Sequence, residues 1–188
     1  IALVGDAELD EGNIYECLQE GWKHDLRNVW WIIDYNRQSL DGVVHEGLWE
    51  KIDSVFKSFG WNVVVIKYGE LQLNAFNESG GEKLKEWIDN CPNQLYSALI
   101  FEGGKTIKER ILDDIGDQSE ISNLINKRSD TEFLELMSNL GGHCIASLSQ
   151  AFNSIKDDND FDVLTILTWC HDEKERINSY KIFSELIN

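Results

Sequence analysis

The chain has 188 residues, with 34 acidic against 17 basic side chains and a formal net charge of −17. Nucleic-acid binding requires Lys and Arg clustered against phosphates, so this balance excludes nucleic acid as a natural partner and opposes an anionic membrane surface. A hydrophobic share of 42% and an aromatic share of 11% support a real core, the length suits one domain, and no apolar run approaches the roughly 20 residues of a membrane-spanning helix. Cys17, Cys91, Cys144 and Cys170 show no Cys-x-x-Cys spacing and follow no secretory leader. They read as free thiols of a reducing cytoplasm, not as zinc ligands.

In chain order, Ile1-Ala2-Leu3-Val4 is an apolar run of the kind that fills a buried parallel strand. It leads into the acidic stretch Gly5-Asp6-Ala7-Glu8-Leu9-Asp10-Glu11-Gly12. A helical pattern follows, with Ile14, Leu18 and Trp22 on one stripe. Val29-Trp30-Trp31-Ile32-Ile33 is a second strand, and it ends in Asp34-Tyr35-Asn36-Arg37-Gln38 before Leu40-Asp41-Gly42. Strand–helix–strand of this length is a βαβ unit, so the two strands are parallel and their C-terminal ends share one edge. Open α/β sheets bind ligands at that edge, and the geometry brings Asp6 and Asn36 together there.

Gly5-Asp6-Ala7 followed at a distance by Asn36 resembles the Gly-Asp-Gly…Asn signature of the thiamine-diphosphate-dependent enzymes. With Glu8-Leu9-Asp10-Glu11 and Asn36-Arg37-Gln38-Ser39-Leu40-Asp41-Gly42 added, the chain is most similar to the homodimeric decarboxylase component of pyruvate dehydrogenase complexes. Transketolase is the nearer cousin in the same superfamily. The similarity continues through Gly60-Trp61-Asn62-Val63-Val64 and Gly141-Gly142-His143, over roughly residues 1–160. The fold it implies is α/β: a three-layer parallel sheet with flanking helices, the diphosphate-binding domain of the thiamine-diphosphate fold, here incomplete. Residues 1–168 would form that domain and 169–188 a divergent helical tail.

The resemblance assigns cofactor contacts to Gly5, Asp6, Ala7, Glu8, Asn36 and Gln38. Mg²⁺ would take the Asp6 carboxylate, the Asn36 side-chain oxygen and the Gln38 backbone carbonyl. Physically, a diphosphate beside Asp6 stacks like charges that cost on the order of 4 kcal/mol per pair at 4 Å in an effective dielectric near 20. A divalent cation with six hard oxygen ligands, several of them from phosphate, reverses that sign. The start of the following helix adds N–H groups and a positive dipole end. Ala7 stands where the family commonly has Gly, and would be strained if that position needed positive φ. Glu11 is either a helix-start acid favoured by the dipole or, by resemblance, a catalytic support residue near a dimer seam. An EF-hand reading of Asp6-x-Glu8-x-Asp10 fails, because Gly12 falls one place late and Cys17 stands where the closing Glu belongs.

Further along, Gly47 to Phe59 has Leu48, Ile52, Val55, Phe56 and Phe59 at helical spacing, with Gly60 as a stop. Trp61 to Ile66 reads as a buried strand. His45, in the loop after Asp41-Gly42, is either a cofactor-edge contact or solvent-exposed. Glu70 to Phe76 reads as a short helix, Asn77 to Gly81 as a break, and Glu82 to Asn90 as a helix carrying Leu84, Trp87 and Ile88. Asn93 to Phe101 fits helix or strand, and Lys105 to Asp114 a charged helix or a loop. No His lies between Glu46 and Gly142, so the active-site His that the resembled decarboxylases carry in this region is missing. Ser129-Asp130-Thr131-Glu132 is a capping box opening a helix with Phe133, Leu134, Met137 and Leu140 on one face. Gly141-Gly142 ends it. His143, read as a structural cap, opens a helix striped by Ile145, Leu148, Phe152 and Ile155. Asp157 to Asp160 is a turn, and Phe161 to Thr168 a last strand. Residues 169–188 match nothing in the resembled enzymes, and His171 gains no role from its position.

The resemblance implies a 2-oxo acid, most naturally pyruvate, as the parent substrate, with Mg²⁺ and thiamine diphosphate as cofactors. It further implies a homodimer in the complete enzyme, a lipoyl acyltransferase partner and a cytoplasmic setting. Alternatives are transketolase-type ketol transfer, or an inactive gene fragment. The activating glutamate of the family lies in another domain, so this chain by itself is expected to be inactive.

Overall fold

The computed structural model describes residues 1–26, 29–35, 38–39, 42–43, 47–116, 119–157 and 181. The expected final strand over 161–168, the boundary at 168/169, His45, Asn36, His171 and Cys170 lie outside them. Strand β1 (Ala2–Gly5) runs into a 3₁₀ turn (Asp6–Asp10), then helix α1 (Gly12–Lys23) and strand β2 (Trp31–Asp34). A small hairpin of β3 (Gln38–Ser39) and β4 (Gly42–Val43) precedes α2 (Leu48–Ser58). Next come α3 (Glu70–Phe76), α4 (Gly81–Asn90), α5 (Asn93–Glu102), α6 (Gly104–Ile115), α7 (Ser119–Asn126) and α8 (Asp130–Ser138). A 3₁₀ turn (Gly141–His143) and α9 (Ile145–Asp157) follow. The chain divides into two compact units, Ile1–Lys67 with Gly141–Asn188, and Tyr68–Leu140.

In the first unit, β1 and β2 pair in parallel, in register from Ala2–Trp31 to Gly5–Asp34. The βαβ expectation holds, and the architecture is α/β with a small parallel pair. Among the described residues the sheet has no third parallel strand. Leu9, Leu18, Trp31, Ile33, Phe56 and Trp61 form the buried cluster, with Ala2, Val4, Ile14 and Ile52 packed around it. Trp31 meets Phe56 edge-on, ring centroids 6.0 Å apart, the arrangement the ring quadrupoles favour. Strand β2 is buried along its whole length.

Three expectations change here. Strand β1 is not buried on both faces: Leu3 is 48% exposed while Ala2 and Val4 turn toward the cluster, so alternation replaces the continuous apolar strand. Trp22, one turn beyond the buried Leu18, is 63% exposed. Trp61 to Ile66 forms no regular strand, only a single bridge position at Val65. Gly141 lies against Ile66, and just after this segment its N–H donates to the Lys67 carbonyl at 3.1 Å.

The second unit is helical. Its ends meet in an antiparallel bridge between Tyr68 and Leu140, and the Gly69 N–H donates to the Asn139 carbonyl at 2.9 Å. Helix α6 packs on α5 and α8, and α4 on α3 and α7. Both ambiguous stretches resolve as helix, because Tyr96, Leu99, Ile107 and Ile111 point inward together. The capping box is present: the Ser129 hydroxyl accepts the Glu132 N–H at 3.2 Å, and the Glu132 carboxylate accepts the Ser129 N–H at 2.7 Å. The Ser129 hydroxyl also donates to the Glu132 carboxylate at 2.7 Å, and that bond first, with the Ser129 N–H second, holds the Glu132 carboxyl below its usual range. Helix α7 had no counterpart in the sequence reading, although Ile121, Leu124 and Ile125 bury one face of it.

Several buried polar groups in this unit are paired across elements. Tyr96 donates its hydroxyl to the Met137 carbonyl at 2.7 Å, which also accepts from Gln72 Nε2 at 3.2 Å. The Trp87 indole donates to Asp114 at 2.9 Å, and Tyr68 donates to the Asp89 carboxylate. Burial first, with the neighbouring carboxylate second, pushes the Tyr68 hydroxyl far above the usual phenol value. No helix among the described residues is long and apolar enough to cross a membrane.

Candidate functional site

The first unit carries the site at the C-terminal edge of its parallel pair. Gly5 ends β1 in extended backbone (φ −79°, ψ 159°), and among the described residues nothing lies within 4 Å of where a side chain on it would begin. Asp6 opens the 3₁₀ turn and is 4% exposed. Leu9, three residues on, enters the apolar cluster and so anchors the turn from below. Ala7 is half-buried and Glu8 exposed. Among the described non-glycine residues only Asp25 has positive φ, so Ala7 sits without strain in the position where the resembled family prefers Gly.

On the neighbouring strand, Asp34 stands opposite Gly5 and is 5% exposed. Two carboxylates are therefore buried at adjoining strand ends. The sequence reading passed over Asp34; its signal was its place as the last residue of a buried strand that pairs with the Gly5 strand. Strand β3 lies alongside the Asp6–Asp10 turn and pairs antiparallel with β4, Gln38 opposite Val43 and Ser39 opposite Gly42. The backbone of Gln38 thus comes to the turn that Asp6 opens. Asn36, the third expected donor, lies outside the described residues.

Glu11 occupies the N-cap of α1 (φ −82°, ψ 126°), exposed and without a side-chain capping bond. That placement fits the helix-start reading. The helix begins at Gly12, so the 3₁₀ turn, not the helix start, directly follows the Gly5-Asp6 corner. His143 is half-buried in the turn before α9, whose expected apolar stripe is partly corrected: Leu148 is buried, but Ile145 is 57% exposed and Ala151 takes an inward place. Among the described residues no three His, Cys, Asp or Glu side chains gather as a metal cluster. A site built from one carboxylate, one amide and one backbone carbonyl is a different donor set. Cys17 is exposed, and Cys91 and Cys144 are buried, all as free thiols.

No family model matches the chain. The pyruvate dehydrogenase E1 component of Corynebacterium glutamicum is 23% identical over 161 residues, 85% of this chain and 17% of that protein. That of Escherichia coli K12 is 23% identical over 158 residues, 83% of this chain and 17% of that protein. That of Buchnera aphidicola subsp. Baizongia pistaciae is 28% identical over 160 residues, 82% of this chain and 17% of that protein. The chain is thus distantly similar, over most of its own length and about 17% of theirs, to pyruvate dehydrogenase E1 components.

Proposed function

We propose that this chain is the Mg²⁺–thiamine-diphosphate-binding portion of a 2-oxo acid decarboxylase of the pyruvate dehydrogenase E1 type. The observation that carries the proposal is the buried Asp6 at the end of β1 with β3, and hence the Gln38 backbone, beside its turn. The names of the curated relatives support pyruvate over a sugar phosphate as substrate. A homodimer, a lipoyl acyltransferase partner and a cytoplasmic setting belong to the same proposal for the complete enzyme.

The residues fit the group. The Asp6 carboxylate, the Asn36 amide oxygen and the Gln38 carbonyl are hard donors of the kind Mg²⁺ selects. Asp6 and Asp34 are both buried at this edge, and a divalent cation bound there would offset the cost of burying negative charge. Among the described residues nothing crowds Gly5, which would let a phosphate group approach the backbone there. Thiamine diphosphate, when bound, supplies the carbanion-stabilising centre of decarboxylation. This chain's residues would hold and orient it: Asp6 and Gln38 through the ion, the Gly5–Ala7 backbone beside the diphosphate. Glu11 would act from the N-cap of α1 as a supporting acid.

The test is thermal unfolding of the chain within its complete reading frame. Mg²⁺ and thiamine diphosphate together should raise stability, by about 2.7 kcal/mol at 100 times the dissociation constant. Either component alone should give a smaller rise. An unchanged midpoint with both at saturating concentration would refute the assignment.

A further inference from the structure

The second unit, Tyr68–Leu140, begins and ends at the same place. Its first and last residues form the antiparallel bridge, and beside it the Gly69 N–H donates to the Asn139 carbonyl at 2.9 Å. The Asn139 side chain then reaches across: its Oδ1 accepts the Leu71 N–H, in the first turn of α3, at 2.9 Å. The N-cap of α3 is Gly69, which has no side chain to offer. One of the free N–H groups at that helix start is therefore satisfied from the far end of the unit. The arrangement depends on glycine, because a side chain on Gly69 would collide with both the side-chain and the carbonyl oxygens of Asn139.

Each strand of this neck is tied into the unit. Tyr68 donates its hydroxyl to Asp89 on α4, and its ring meets Phe76 on α3 edge-on, with centroids 5.0 Å apart. Lys85 joins the group, 2.7 Å from the Asp89 carboxylate and 5.3 Å from the Tyr68 ring centroid. On the other strand, Asn139 is the C-cap of α8 and donates its N–H to the Leu136 carbonyl at 3.2 Å.

The unit also holds its own core and its own polar partners. Ala75, Leu84, Tyr96, Ile107, Ile121 and Phe133 bury one side chain from each of α3 to α8 in turn. Bonds between residues distant in sequence stay inside it: Gln72 to the Met137 carbonyl at 3.2 Å, the Trp87 indole to Asp114 at 2.9 Å, and Arg128 to Glu78 at 2.7 Å. Domains of about 55–65 residues fold alone, and this unit is somewhat longer. The apolar cluster of the first unit, for its part, draws its described members from residues 2–63.

We infer that Tyr68–Leu140 is an inserted module that folds by itself, closed by the Gly69–Asn139 neck, and that it opens independently of the parallel-strand unit. An insert whose ends already meet asks no more of its host than a turn does, since the ordering of the intervening chain is offset by the insert's own core. The inference does not rest on the cofactor reading of the Asp6 edge, and its failure would leave that reading untouched.

The experiment is hydrogen–deuterium exchange of the full chain, followed peptide by peptide by mass spectrometry. In rising urea, peptides from 68–140 should lose protection as one block. Ile33→Ala removes a fully buried side chain from the first unit. It should speed exchange in peptides from 2–63 by at least about tenfold and in those from 68–140 by less than about twofold. Should that variant unfold the first unit outright, protection retained over 68–140 is the same result. Phe133→Ala, fully buried in the second unit, should do the reverse. Gly69→Ala should speed exchange across 68–140 and leave 2–63 unchanged. Piecemeal loss of protection within 68–140, acceleration of both sets of peptides by either core variant, or unchanged exchange over 68–140 in Gly69→Ala would overturn the inference.

Discussion

Gly5 and Asp34 stand directly opposite each other as the last pair of the parallel β1–β2 ladder. The chain consequently leaves both strands at one level, with a buried Asp6 on one side and a buried Asp34 on the other. Under the proposed function, Asp6→Asn in the complete protein keeps the shape and removes the anionic ion ligand. The rise in stability on adding Mg²⁺ and thiamine diphosphate should fall from about 2.7 kcal/mol toward zero, while the ligand-free stability changes by less than about 1 kcal/mol. A variant with the same ligand-dependent rise as the parent would remove Asp6 from the ion's coordination.

Asp25 holds positive φ where glycine would relax it, so Asp25→Gly should raise stability by about 0.5–1 kcal/mol. Chemical denaturation measures this directly. A loss of stability would mean that the Asp25 side chain stabilises the α1 end by more than its backbone strain costs.

Gly104 opens α6 hard against the start of α8: a side chain there would begin 1.8 Å from the Asp130 carbonyl oxygen. That neighbour is backbone and cannot swing aside. Gly104→Ala should cost about 3 kcal/mol, read as a fall in denaturation midpoint with the slope unchanged. A cost under half that would show that α6 and α8 slide past each other freely.

Glu78 links two cations, with Arg128 at 2.7 Å and Lys127 at 2.7 Å. The hydrogen bond from Arg128, ahead of the weaker pull of Lys127, holds the Glu78 carboxyl below its usual 4.5. A depressed carboxyl contributes stability that is complete above the unfolded value and lost as pH falls through the folded one. Glu78→Gln should therefore cost about 1 kcal/mol at neutral pH and nothing once the pH is well below 4.5. Parallel stability–pH curves for parent and variant would contradict this linkage.

Tyr68 and Tyr96 have their hydroxyls driven up by burial, with Asp89 adding to the effect at Tyr68 and Cys91 at Tyr96. A raised phenol contributes stability fully present below the unfolded value near 10 and lost as pH rises above it. In an alkaline absorbance titration, Tyr68 and Tyr96 should ionise only when the protein unfolds. Smooth ionisation of both in the folded chain would contradict their burial.

Several features of this protein were legible in residue order because they depend on neighbours a few positions apart. The strand–helix–strand opening, the limits of α2, α3 and α4, and the Ser129–Glu132 capping box all follow from spacing, stop residues and local hydrogen bonds. The Gly5-Asp6 corner was legible too, as a motif at a strand end. Helix α7 and the burial of Asp34 were not, since each depends on packing between segments distant in sequence.

Local pattern cannot tell which side of an apolar segment finds a partner. The stripes that include Trp22 and Ile145 have helical periodicity, yet both residues face outward, because burial depends on what lies opposite. The same holds for Trp61 to Ile66, whose composition favours a strand but which shows, among the described residues, only one bridge position, at Val65. Only the tertiary structure brings the Asn139 side chain to the start of α3, β3 to the Asp6 turn, and Tyr68 to Leu140. Sequence alone determined where the backbone satisfies itself locally; the tertiary structure decided which surfaces are removed from water, because that free energy belongs to pairs of surfaces and not to either one.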